Sequence, residues 1–93
     1  MANNLFVSYD LYNPGQNYEK VAAAIKSLGN AIKVQLSLWY VKSNYNANQA
    51  IDVVGKAIDS NDTLIVVDAT NKQAVMKNLK PEISKFIIDN WNK

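Results

Sequence analysis

Near the start of the chain, Leu5-Phe6-Val7-Ser8-Tyr9 is a run of residues that suit a strand, and it ends directly on a carboxylate, Asp10. Asn13-Pro14-Gly15 follows as a turn. Tyr18, Val21, Ala22, Ile25 and Leu28 then recur at helical spacing, with Asn17 placed as N-cap and Gly29 as a left-handed stop. From Ala31 to Ser43 the period changes. Ile32, Val34 and Leu36 alternate with Lys33, Gln35 and Ser37, which reads as strand. The stretch is one long strand or two short ones reversing near Leu36-Ser37, and no Gly or Asn-Gly there chooses between them.

Asn46 opens a second helix, with Gln49 three residues on as in a capping box. Its apolar stripe is Ala47, Ala50, Ile51, Val54 and Ile58; Gly55 sits inside it, which suggests close packing of helix on sheet. Asp59 to Asp62 is a polar turn. Thr63-Leu64-Ile65-Val66-Val67 is wholly apolar after its first residue, the composition of a central strand or one covered on both faces. Residues 71–79 have at best a weak helical pattern. Pro81 suits the first position of a last helix, with Ile83, Phe86, Ile87 and Trp91 on its apolar face. No repeat, low-complexity segment or internal linker divides residues 1–93, so one domain is expected.

This order is strand, helix, one or two strands, helix, strand, helix. Two strands in the middle would make a split βαβ, ferredoxin-like plan of the α+β class: a four-stranded antiparallel sheet with an added C-terminal helix. Right-handed crossovers then set the first strand beside Thr63–Val67 at the sheet centre. Asp10 and Asp68 would lie at opposite ends of that pair, which makes them poor partners for one metal within a chain.

Composition narrows the chemistry. Hydrophobic residues are 48% and charged residues 19%, as in ordinary globular proteins. No apolar run approaches the roughly 20 residues that cross a bilayer, and the N-terminus does not read as a signal peptide; no membrane role and a cytoplasmic location are expected. The chain has no histidine and no cysteine, which excludes catalytic triads, histidine relays and the common zinc sites. All ten basic residues are lysines. Without arginine, bidentate reading of guanine is disfavoured, and a net charge of +2 does not by itself announce nucleic-acid binding.

The stretches VSYDL, SLGNA and VQLSLWYV, spread over Leu5 to Val67, resemble the small CRISPR-associated adaptation nucleases. They are similar too to the virulence-associated protein D ribonucleases, and to short bacterial proteins of the same superfamily. The resemblance implies a homodimeric ferredoxin-like fold with the middle segment split into two strands. It also implies that Asp10 is the catalytic acid, facing its symmetry mate, so that two carboxylates hold one Mg²⁺ or Mn²⁺ that activates water against a phosphodiester. Ser37 and Trp39 fall in its Ser-aromatic segment. The chain departs from that pattern after the first strand, where Leu11-Tyr12-Asn13-Pro14 stands in place of basic residues, and at its end, where a helix replaces a further strand.

Each candidate also has a plain structural account. Asp10 can cap a strand end. Trp39, Tyr40 and Tyr45 can stack on bases or pack in a core or a dimer interface, and Trp39 is the candidate interface residue. Lys72, Lys77 and Lys80 can track phosphates or form a solvated surface with Lys85. Three functions follow: a metal-dependent endonuclease on RNA or DNA, a silent nucleic-acid-binding or scaffold dimer, and a regulator or inhibitor working through protein contacts, within a larger complex or through an apolar patch at Phe86, Ile87 and Trp91.

Overall fold

The structure is a computed structural model, and it describes residues 2–12 and 18–93. The expected Asn13-Pro14-Gly15 turn and Asn17 cap lie outside the described residues. The elements are β1 (Asn3–Asp10), α1 (Tyr18–Lys26), β2 (Gly29–Gln35), β3 (Leu38–Ser43), α2 (Ala47–Gly55), β4 (Thr63–Asp68) and α3 (Pro81–Trp91). The middle segment is a hairpin turning at Leu36-Ser37, with a bulge between Lys33 and Gln35. All strands pair antiparallel in the order β2-β3-β1-β4, the ferredoxin-like arrangement.

The sheet has two chemically different faces because side chains alternate along each strand. Leu5, Val7 and Tyr9 of β1, with Trp39 and Val41 of β3, point to one face. There they meet Val21 and Ile25 of α1 and Ala50 and Val54 of α2 in one apolar core. Fully burying such side chains stabilises by about 1.5–3 kcal/mol each. The alternate residues of the same strands, Asn4, Phe6, Tyr40 and Lys42, point to the other face. α3 covers this second face, stacking Trp91 on Tyr40 at 5.8 Å and bringing Phe86 edge-on to it at 6.2 Å.

Local chemistry explains the element ends. Asn46 Oδ1 accepts from Gln49 N (2.8 Å), and Gln49 Oε1 accepts from Asn46 N (2.9 Å), which completes the expected capping box. Pro81 begins α3. The Asp59–Asp62 turn is closed by Asp62, whose carboxylate accepts from Asp59 N (2.8 Å) and from Tyr12 N (2.7 Å).

Four expectations change. β4 is an edge strand, not a central or doubly covered one: Ile65 and Val67 remain 58% and 47% exposed. Its apolar run is only half used by the core, through Leu64 and Val66. Gly29 is not a left-handed stop; it opens β2, and a Cβ there would collide with the Lys42 carbonyl. Gly55 does not serve close packing of helix on sheet: among the described residues a Cβ added to it would meet nothing within 4 Å. The apolar face of α3 is folded onto its own sheet, with Ile87 buried and Phe86 and Trp91 half-buried, so Phe86, Ile87 and Trp91 do not form an open patch.

Candidate nucleic-acid interface

The second face of the sheet is organised by a polar network. Asn4 Oδ1 accepts from the Tyr40 hydroxyl (2.7 Å) and from Lys42 Nζ (3.0 Å). Asn4 Nδ2 donates to the Trp91 carbonyl (2.9 Å), and Lys42 Nζ donates to the same oxygen (3.2 Å). That carbonyl belongs to the C-terminal turn of α3, where backbone oxygens lack helical partners and the helix dipole is negative. Lys42 is only 8% exposed, and its ammonium is held by a helix end and an amide rather than by a carboxylate. Burial also pushes the Tyr40 phenol up to about 12.

The same network anchors the segment that joins β4 to α3. Asn4 N donates to Thr70 Oγ1 (3.0 Å), and Ala69 N donates to the Asn4 carbonyl (2.8 Å). Thr70 in turn bonds Asp68 through its amide and its hydroxyl. Trp91 Nε1 donates to the Lys72 carbonyl (2.9 Å). From there residues 73–80 cross the second face toward the β2–β3 hairpin, with Asn71 and Asn78 in the left-handed backbone region that Asn tolerates.

This course decides where the lysines go. Lys72, Lys93 and the buried Lys42 line one open groove of about 700 Å³ beside Trp91 and Thr70. Lys77 and Lys80 stand exposed further along the segment, beside smaller grooves near Val34 and Gln35. Lys85 is paired with Asp89 at 2.7 Å, and that hydrogen bond and charge raise its pKa. Residues 69–93 carry five lysines and two acids, a net +3, whereas residues 1–68 carry five lysines and six acids, a net −1. The surplus of lysines over acids is thus carried by the final 25 residues.

Asp10 ends β1 on the second face, opposite Thr63 and exposed. Its neighbour Tyr9 donates its amide to the Ser37 carbonyl (3.1 Å), so the Ser-aromatic segment does lie beside the strand end. Asp68 is at the other end of the β1–β4 pair, opposite Leu5. Among the described residues no group of three or more acid, cysteine or histidine side chains could hold a metal. One carboxylate does not fit Mg²⁺ or Mn²⁺, which need more oxygen ligands than Asp10 alone supplies within a chain. Trp39 does not present an interface surface: it is 6% exposed, its Nε1 bonds the Tyr9 hydroxyl (3.4 Å), and Lys26 lies 5.8 Å above its ring.

Of the sequence-level candidates, Lys72, Lys77 and Lys80 are brought onto one side. Asp10 ends β1 next to Tyr9, whose amide bonds Ser37, and Trp39 is withdrawn into the core. Asn4 and Lys42 were missed as partners. Their only signal in the sequence was a polar residue at an inward position of a strand.

No family model matches the chain, and no curated protein matches it significantly. Among solved structures, the chain is similar to a hypothetical protein from Thermus thermophilus, seen in a crystal structure. The identity is 20%, the TM-score 0.63, and the match covers 86% of this chain and 96% of that one. At that identity the likeness concerns the fold alone.

Proposed function

We propose that the protein is a nucleic-acid-binding module that grips the phosphate backbone without reading sequence and without hydrolysing it. The observation that carries this is the gathering of Lys72, Lys77 and Lys80 on one side of the sheet, along a segment pinned by Asn4 and Trp91, with Lys93 lining the same groove as Lys72. Ammonium groups act on phosphates as point charges, and the lack of arginine removes the fork that reads guanine. The solitary position of Asp10 favours a silent protein over a metal-dependent nuclease.

The test is a binding titration of labelled single-stranded RNA and duplex DNA over a range of salt, with wild type and Lys72→Gln/Lys77→Gln/Lys80→Gln. Binding should weaken with salt, and the triple variant should lower the log–log slope by about 2 to 3, one charge contact per lysine. Absence of binding at low salt, or an unchanged slope in the folded variant, sinks the proposal. The same samples with Mg²⁺, Mn²⁺ or chelator, beside Asp10→Asn, test hydrolysis. Metal-dependent cleavage that disappears in the folded Asp10→Asn protein would replace the silent assignment with the nuclease one.

A further inference from the structure

β4 is an open edge whose only charged residue is Asp68 at its end. Its residues Thr63 to Asp68 include no proline, no lysine and no bulge, and among the described residues no chain pairs with its outer side. The bond from Ala69 N to the Asn4 carbonyl fixes the phase of the β1–β4 ladder. Carried along the register, it turns the backbone groups of Thr63, Ile65 and Val67 toward β1, and those of Leu64, Val66 and Asp68 outward.

α2 adds a second observation on the same side of the molecule. The right-handed crossover from β3 to β4 sets α2 against β4, with α1 on its other flank. At 100° per residue, Ile51 and Gly55 share the flank of α2 next to the buried Ala50–Val54 stripe and on the β4 side. Ile51 is 37% exposed, and Gly55 faces open space. A glycine within a helix costs about 1 kcal/mol relative to alanine, and among the described residues nothing would touch a Cβ added at Gly55.

We propose that this side is a self-association surface: two copies pair their β4 strands antiparallel about a two-fold axis at Val66, forming one eight-stranded sheet. A second copy fits because the edge is self-complementary in that register. Val66 meets its own mate, and Leu64 meets Asp68 of the other copy in both directions, so all three outward residues exchange both backbone bonds. Ile65 and Val67 then face each other across the strands, which covers both exposed apolar side chains. No like charges stand opposite. The two α2 helices come side by side, and Gly55 lets their backbones approach. A six-residue edge with one helix flank is smaller than a standard interface, so the dimer belongs in the micromolar range. It does not depend on nucleic acid, and a failure of the binding proposal leaves it standing.

The register has a cross-linking test, because the chain has no cysteine of its own. Protein carrying Ile65→Cys and protein carrying Val67→Cys should form a disulfide when mixed under oxidation, since this pair is non-hydrogen-bonded and its Cα atoms sit within bridging distance. Each variant alone should link far less. Sedimentation velocity over a concentration series should show a wild-type dimer, weakened about tenfold or more by Ile65→Lys. Gly55→Leu should weaken the dimer equally while leaving the monomer as stable as wild type or more so. A wild type that stays monomeric throughout overturns the proposal, as does cross-linking of either single variant as readily as of the mixture.

Discussion

The two faces of the sheet are built from the same strands and hold together by different means. On the α1–α2 face, Leu5, Val7, Val41 and their helix partners exclude water with aliphatic side chains, and the stabilisation is area-driven and insensitive to pH. On the α3 face, Asn4, Tyr40 and Lys42 are buried as polar groups, so stability depends on each keeping its partners. The first face explains why the chain folds. The second explains how its final 25 residues, which carry the surplus positive charge, are held on one side.

Changes on either face sharpen this contrast. Leu5→Ala should cost about 3 kcal/mol in denaturant unfolding, through lost burial and a cavity. Ile65→Ala, on the neighbouring strand but exposed, should change stability by less than about 0.5 kcal/mol. Asn4→Ala comes next, at about 2 kcal/mol, because it leaves the Tyr40 hydroxyl without its acceptor and Lys42 with the Trp91 carbonyl alone. Near-ultraviolet dichroism of Trp91 should report the loosening of α3 before global unfolding. An Asn4→Ala protein as stable as wild type would mean that α3 is held by its aromatic contacts alone.

Tyr40→Phe should cost less than Asn4→Ala at neutral pH, about 1 kcal/mol. Its signature is pH dependence. The Tyr40 phenol is pushed up to about 12 in the folded protein from an ordinary 10.0 by burial. The unfolded chain therefore ionises first, and stability present below pH 10 declines as pH rises toward 12, by on the order of 2 kcal/mol. Tyr40→Phe should remove that part of the alkaline decline. An identical alkaline profile in the variant would place the titration elsewhere.

The proposed β4 pairing bears on Asp10 as well. Asp10 is level with Thr63, three residues from the axis at Val66. Its mate would lie three strand spacings across and about six residues along, roughly 25 Å away. Two carboxylates at that distance share no metal ion. A demonstrated β4 dimer and a shared Asp10 metal site thus exclude each other, and the cross-linking and cleavage experiments decide between them.

The sequence alone determined the element order outside the middle segment, the capping box at Asn46, the start of α3 at Pro81 and the buried stripes through Val21 and Ile25 and through Ala50 and Val54, although Tyr18 and Ile51, expected on those stripes, are exposed. Each is set within a few residues by hydrogen bonding or helical period. The hairpin at Leu36-Ser37 was legible only through resemblance, because no turn residue marks it. What the tertiary structure decided was which strand ends the sheet and which polar groups meet. Thr63–Val67 has the composition of a buried strand, yet edge or centre is a matter of crossover order, which no local pattern encodes. Asn4 and Lys42 lie 38 residues apart and meet because β1 and β3 pair in one register, with Trp91 brought to them by α3. Trp39 went inward for the same reason: register, not residue type, assigns a side chain to a face, and a shift of one residue would reverse it.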